Sequence, residues 1–316
     1  MQRYIGIDLG GTNIKGALVS ETGKILKQRS VPTHAEAGAE AVTKAIAAMI
    51  CALAEGESVS GVGMGCPGTV DDQEGTVVYA CNLGWVHYDV RTALRELTGY
   101  SVRLVNDANA AALAEAAVGA AKGAQSAVVV TLGTGVGAGI VHNGKIYHGA
   151  NGMAGEVGHT CIDYQGLPCP CGRRGCWEQY ASASALKRFT AQALQDNPDS
   201  ILAQVIREHD GHVSGQSAFM AARLGDPVGR QVCDMYIGYL AAGIANVVNI
   251  FQPDTLAIGG GVSNEADEQL LHPLQRLVEQ ETIPCSSDKK TRIVKAQLGN
   301  QAGIIGAALL GKKKRI

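Results

Sequence analysis

The run Asp8-Leu-Gly-Gly-Thr-Asn-Ile-Lys-Gly16 corresponds position by position to Thr131-Leu-Gly-Thr-Gly-Val-Gly-Ala-Gly139. Each is preceded and followed by an apolar stretch, and each leads on to a Gly-Lys turn, Gly23-Lys24 in one and Gly144-Lys145 in the other. A strand, a glycine turn and a second strand make a β-hairpin rather than a strand-to-helix crossover. Meeting that unit twice, with matching flanks, predicts a duplicated domain.

The remaining pattern fits an α/β chain. Residues 39–54 are alanine-rich with apolar positions at helical spacing, and residues 59–64 and 102–105 read as buried strands. Asn106-Asp107 closes the second of these strands, and an alanine-rich helix is expected over 108–121. Residues 228–250 read as a long amphipathic helix with Val232, Met235, Tyr239, Gly243 and Val247 on one face. Pro253 stops it, and a strand over 255–258 runs into Gly259-Gly-Gly261. A last apolar helix over 302–310 should pack back onto one of the domains. The expected division is residues 1–118, joined by the C-terminal helix 302–316, and residues 119–301, with the switch near 118–125. A chain of 316 residues can bury a substantial core in two such domains.

A formal charge of −2 offers no basic surface for nucleic acid. Lys312-Lys313-Lys314-Arg315 reads as a solvated helix end that complements the helix dipole. The N-terminal apolar run meets Asp8 too early for a signal peptide. The stretch 236–251 contains Asn246 and Asn249 and is short for a bilayer span. Nine cysteines without an export signal point to a reducing, cytoplasmic compartment. No nucleic-acid or membrane partner is expected.

Three of those cysteines fall close together, in Cys169-Pro-Cys171-Gly-Arg-Arg-Gly-Cys176, shortly after His159. Three thiols and an imidazole are the donor set of a structural Zn²⁺, and four protein ligands leave no open coordination position. Pro170, Gly172 and Gly175 let the backbone turn so that the sulfurs converge. Cys161 is an alternative to one of the four ligands. The other scattered cysteines, Cys51, Cys66, Cys81, Cys233 and Cys285, read as small core residues.

Glycines at strand ends let backbone N–H groups approach phosphate oxygens. Gly10, Gly11 and Thr12 on one hairpin, and Thr134 with Gly135 on the other, are placed to grip a polyphosphate. Lys15 adds a donor, and Asp8 can hold Mg²⁺ directly or through water. No G-x-x-x-x-G-K-[ST] run exists, which excludes a P-loop. Gly133-x-Gly135-x-x-Ala138 is followed by a strand where a dinucleotide fingerprint needs a helix. Two readings stand for Asp107: a base that takes a proton from an alcohol attacking phosphorus, or the N-cap of the helix behind it.

Taken together, these residues resemble the ROK family of sugar kinases. The matching elements are residues 8–15, Cys66-Pro-Gly68, Asn106-Asp107-Ala-Asn109, residues 131–139, Glu156-Val-Gly-His159, the Cys169/Cys171/Cys176 cluster with Glu178, and Gly259-Gly-Gly261. They span the chain, and the run 171–179 is most similar to the bacterial glucokinase branch. The resemblance implies a two-domain actin-like, ribonuclease H-like α/β fold with a structural zinc loop and an ATP cleft between its halves. It implies Asp107 as the base on the 6-hydroxyl of glucose. Asn106, Glu156, His159 and Glu178, with Gly68 and Asn82, would bind the sugar, and His159 would use its second ring nitrogen for zinc. Gly10, Gly11, Thr12, Thr134 and Gly135 would hold phosphates, and Gly260-Gly261 would lie near the adenosine. Homologous kinases for N-acetylglucosamine, N-acetylmannosamine, fructose or allose share these motifs, and some relatives use polyphosphate as donor. Relatives are often homodimers or tetramers. The repressors of the family carry an N-terminal helix-turn-helix, for which a first strand at Tyr4 leaves no room.

Overall fold

The computed structural model describes residues 2–284 and 289–312. Cys285 and the basic residues Lys313, Lys314 and Arg315 lie outside the described residues. The chain opens with three strands, β1 (Arg3–Leu9), β2 (Asn13–Ser20) and β3 (Ile25–Pro32), followed by helix α1 (Ala39–Ala54) and strand β4 (Val59–Cys66). Three short strands come next, β5 (Thr69–Asp71), β6 (Thr76–Ala80) and β7 (Trp85–Asp89), then α2 (Val90–Thr98), β8 (Val102–Asn106) and α3 (Asp107–Val118). The hairpin motif then returns as β9 (Ser126–Leu132), β10 (Val136–His142) and β11 (Lys145–Ile146). Helices α4 (Glu178–Ala181), α5 (Ala183–Asp196), α6 (Ile201–Glu208), α7 (Ser217–Arg223) and α8 (Pro227–Phe251) follow. The chain ends through β12 (Thr255–Gly259), α9 (Leu271–Glu281), β13 (Arg292–Lys295) and α10 (Ala302–Leu310).

The duplication expected from the twin hairpins is visible in the sheets. One sheet has the order β3-β2-β1-β4-β8 and the other β11-β10-β9-β12-β13, so the two run through equivalent strands in the same order. In the first, β1 and β2 are antiparallel, while β4 joins β1 in parallel and β8 joins β4 in parallel. In the second, β10 and β11 are antiparallel and β12 and β13 are parallel, at the equivalent places. Both Gly-Lys turns carry a glycine with positive φ, 83° at Gly23 and 68° at Gly144.

Two compact units result. The first comprises Met1–Val129, Gly139–Gly155 and Gln297–Ile316, and the second Val130–Ala138 with Glu156–Ala296. The first unit buries Ile5, Ile7, Ile14 and Leu18 of the hairpin against Ile46, Ile50 and Leu53 of α1. Each such side chain contributes about 1.5–3 kcal/mol on burial. On the opposite face Tyr4, Ala17 and Val19 pack on Ile304 and Ala308 of α10. That last helix lies nearly on the sheet backbone, because a Cβ at Gly6 or Gly63 would drive into the carbonyl oxygens of Ile304 and Ala307.

The order β5-β6-β7 is a small separate sheet that the sequence pattern did not reveal. Its loop is tied to β8 by Asp72, whose Oδ1 accepts from the Leu104 amide at 2.7 Å and pairs with Arg91 at 2.8 Å. Helix α2 starts at Asp89, whose Oδ1 accepts from Thr92 N at 3.0 Å, and ends at the left-handed Gly99.

In the second unit α8 is the core helix, and its buried face differs from the expected one. Val232, Gly243 and Val247 are buried, but so are Tyr236, Leu240 and Ile244, while Met235 stays exposed. A helix packed by neighbours over a wide arc has no single narrow stripe. Its 25 residues exceed the stretch 236–251 and are long and apolar enough to cross a membrane by length and composition alone. Here its apolar side faces protein, and the fully buried Trp177 ring sits where a side chain at Gly243 would stand. Cys66 and Cys233 are core residues as expected, whereas Cys51 and Cys81 are exposed. Neither lies on an inward-facing position of its element.

Candidate active site and metal cluster

The first unit gathers its candidate residues at the carboxyl ends of β1, β4 and β8. Asp8 faces Lys15 across the β1–β2 pair and aligns with Gly65 on β4, while Cys66 aligns with Asn106 on β8. Burial, then the nearby Asp107 carboxylate, push the Asp8 carboxyl up to about 6, with Lys15 acting in the opposite direction. Gly303 of α10 has no side chain where Asp8 lies against it. Cys66 is fully buried beside both acids, and its thiol is pushed far up by burial and then by Asp107 and Asp8. It is no nucleophile.

The loop after β1 is braced from β3. Thr33 is buried, its amide donates to Thr12 O at 2.9 Å, and its hydroxyl donates to Gly10 O at 2.6 Å. Gly10 N donates to Asn13 O at 3.0 Å, which closes the turn, while Gly11 and Thr12 stay exposed. Asn82 lies beside Gly11, on a 3₁₀ turn over Cys81–Leu83.

The N-cap of α3 falls one residue before Asp107. Asn106 is the N-cap: its Oδ1 accepts from Ala108 N at 3.0 Å and from Asn109 N at 3.2 Å. Its Nδ2 donates to Gly68 O at 3.0 Å. Gly68 has φ 81°, and a Cβ there would meet the Tyr79 carbonyl, so the turn needs glycine. Asp107 is the first helical residue, and its Oδ1 also accepts from Ala108 N at 2.8 Å. The carboxylate keeps an exposed side, yet surrounding protein desolvates it and raises its pKa against the lowering effect of the Ala108 bond. A carboxylate raised toward neutrality is a stronger base.

In the second unit Thr134 is exposed at the tip of the β9–β10 turn, and Ala183 N donates to Gly133 O at 2.9 Å, fixing the turn to the start of α5. Glu178 opens α4, and its Oε2 accepts from Val136 N at 3.0 Å, directly over Gly135. Gly260 has φ 91° and lies against the Leu132 backbone, followed by exposed Gly261.

Among the described residues one group can hold a metal ion: His159, Cys169, Cys171 and Cys176, whose ligand atoms all lie within 4.8 Å of one another. Cys161 is not part of this group. Cys171 and Cys176 stand 3.6 Å apart, and His159 Nδ1 lies 3.8 Å from Cys169 Sγ. The other ring nitrogen, Nε2, lies 4.0 Å from Glu156 Oε2. One imidazole thus faces the thiols with one edge and a carboxylate with the other. Burial, then Cys171 and Cys169, push the Cys176 thiol up to about 12, whereas the Arg173 amide, then Cys169, lower that of Cys171. The donor set and its spacing fit a tetrahedral Zn²⁺.

Sequence reasoning missed the residues that hold this cluster in place. Arg173 Nη1 donates to His159 O at 3.2 Å, Gln179 Nε2 reaches Cys169 Sγ at 3.8 Å, and Trp177 Nε1 donates to Tyr239 O at 2.9 Å. Their adjacency to the thiols in sequence was the available signal. Thr33 had none, because its partner loop lies far away in sequence.

A duplicated hairpin fold with a carboxylate at a strand end and a Cys₃His loop defines the sugar-kinase class within the actin-like architecture. Residues 4–314 match the ROK family, and the chain belongs to it. It is 39% identical to a glucokinase of Halalkalibacterium halodurans over 318 residues, covering 98% of this chain and 95% of that one. A ROK family glucokinase from Streptomyces griseus, solved with glucose and AMPPNP, superposes with a TM-score of 0.83 at 37% identity, covering 98% of this chain and 99% of that one. The ROK hexokinase of Thermus thermophilus gives 0.82 at 33% identity, with 98% of each chain covered.

Proposed function

We propose that this chain is a glucokinase, transferring the γ-phosphoryl group of ATP to the 6-hydroxyl of glucose. The observation that carries the reading is the division of labour at the end of β8: Asn106 caps the helix, which leaves the Asp107 carboxylate to act as base. Full-length similarity to glucokinases supports the substrate class.

In this reading Asp107 accepts the proton of the 6-hydroxyl as that oxygen attacks phosphorus. Asn106, Gly68 and Asn82 would orient the sugar, and Glu156, His159 and Glu178 would hydrogen-bond its hydroxyls. A ring of alcohols needs fixed acceptors, and a buried hydroxyl left unpaired costs about 1–3 kcal/mol. Gly10, Gly11, Thr12, Lys15, Thr134 and Gly135 hold the phosphates, with Gly260 and Gly261 toward the adenosine. Asp8 would hold Mg²⁺, which would supply charge neutralisation to the phosphates of ATP. His159, Cys169, Cys171 and Cys176 would hold a structural Zn²⁺, which fixes the His159 ring and takes no part in the chemistry. We take residues 1–118 with 302–316, and residues 119–301, as the two folding domains, a division that keeps each five-stranded sheet whole where the compact units assign Gly139–Gly155 to the first. All eight described cysteines are free thiols, which fits a reducing compartment such as the cytoplasm.

A coupled assay comparing kcat/KM for glucose, N-acetylglucosamine, N-acetylmannosamine, fructose and allose at fixed ATP tests the reading. Glucose should lead, and replacing ATP by polyphosphate should lower the rate. A higher kcat/KM for another of these sugars would reassign the substrate, and no transfer to any of them would end the kinase reading.

A further inference from the structure

The loop that carries the thiols also borders an open surface depression of about 580 Å³, lined by Cys161 and the exposed Tyr164, Gln165, Arg173 and Arg174. Two guanidinium side chains line it and no carboxylate does. Arg173 spends one N–H on His159 O, and Arg174 makes no side-chain hydrogen bond or ion pair among the described residues. Asp163, in the same loop, directs its carboxylate to Gln165 N at 3.2 Å and the Tyr180 hydroxyl at 3.3 Å. Neither arginine of the pair makes an ion pair among the described residues.

The frame is rigid before any ligand arrives. Ile162 N donates to Gly175 O at 2.9 Å, Gly175 N to Leu167 O at 2.8 Å and Cys169 N to Arg173 O at 2.8 Å. Gly175 has φ 70°, and any Cβ there would collide with the Asp163 carbonyl. Cys171 and Cys176 bracket the two arginines on either side. Preorganised donors lose little entropy on binding, and guanidinium groups match the oxygens of a phosphate in pairs.

We propose that this depression binds a small phosphate monoester at its surface, with Arg174 and the free edge of Arg173 on the phosphate and Tyr164 and Gln165 toward whatever the phosphate is attached to. Bound there, the ligand touches the loop whose Arg173 holds the backbone of His159. The proposal concerns binding and does not rest on the phosphoryl-transfer reading.

The test is isothermal titration of the zinc-loaded full chain, with glucose and a non-hydrolysable ATP analogue present throughout to fill the other phosphate and sugar sites. Inorganic phosphate and glucose 6-phosphate are the two titrants, applied to wild type and to Arg174→Gln. Saturable binding of at least one titrant, weakened about tenfold or more in Arg174→Gln with zinc content unchanged, is expected. Equal affinity for both titrants identifies free phosphate as sufficient, and a preference for glucose 6-phosphate assigns the sugar contacts to Tyr164 and Gln165. The absence of saturable binding, or equal affinity in Arg174→Gln and wild type, would overturn the proposal. A kinase assay on the same Arg174→Gln protein reads the phosphoryl-transfer reading separately, since Arg174 is not placed in that machinery.

Discussion

Glu178 occupies the space in which a side chain at Gly135 would stand, with its Oε2 holding Val136 N at 3.0 Å. The glycine turn of the second hairpin and the first residue of α4 are therefore one contact, and a carboxylate assigned to the sugar is positioned by a loop assigned to phosphate. Gly135→Ala should push Glu178 off the Val136 amide without unfolding the turn, because the obstructing group is the end of a flexible side chain. The expected result is a rise of about tenfold in the glucose KM, matching a lost charge-assisted hydrogen bond of about 1.5–3 kcal/mol in part recovered by water. Steady-state kinetics with either substrate varied check it, and an unchanged glucose KM would separate Glu178 from sugar binding.

Asp107→Ala should lower kcat by about 10²–10⁴-fold while glucose still binds. The structure adds a control that tells a base from a cap. Asn106 caps α3, so removing Asp107 should leave thermal stability close to wild type, whereas loss of a true N-cap costs about 1 kcal/mol. Kinetics, glucose titration and a melting curve on one variant read all three quantities. Near-normal turnover would remove Asp107 from the chemistry.

The parts of this molecule legible in its sequence are those specified locally. The twin hairpins and their Gly-Lys turns follow from period-two patterns and from glycines that the turns require, and α10 spans the stretch 302–310 marked by its apolar run. The metal cluster was legible because three of its four ligands lie on one short turn-rich segment. The distinction between Asn106 and Asp107 was not legible, since both are good capping residues and only the backbone angles at the strand end decide which one caps. The face of α8 was misread by one position, at Met235 against Tyr236, because packing from several sides broadens the apolar arc. The small β5-β6-β7 sheet is held by Asp72 reaching β8, a long-range contact with no local pattern.

Cys171→Ser should release the metal. A serine hydroxyl is a poor Zn²⁺ ligand at neutral pH, and the remaining three donors leave an open position. Metal analysis should find about one zinc per wild-type chain and far less in the variant. Glucose affinity should fall together with it, because His159 keeps its Nε2 toward Glu156 only while Nδ1 is held among the thiols. Full zinc occupancy with normal sugar affinity in the variant would refute the anchoring role.

Asp8 predicts an opposition between stability and function that depends on pH. Its carboxyl ionises near its ordinary value of 3.8 in the unfolded chain and at about 6 in the folded one, raised first by burial and then by Asp107. The unfolded chain therefore binds fewer protons between these values, and stability falls as pH rises through that window. The shift corresponds to about 3 kcal/mol at most, before solvent screening at this half-buried site reduces it. Asp8→Asn removes the cost of holding a desolvated charge, so it should melt higher than wild type at pH 7.5 and equally below pH 3.8, in buffer without Mg²⁺ or ATP. The same substitution removes the carboxylate assigned to Mg²⁺, so phosphoryl transfer should drop even as the protein becomes more stable. Differential scanning calorimetry across this pH range checks the sign: a variant that melts lower than wild type at pH 7.5 would mean that Asp8 is stabilised as an anion by its neighbours.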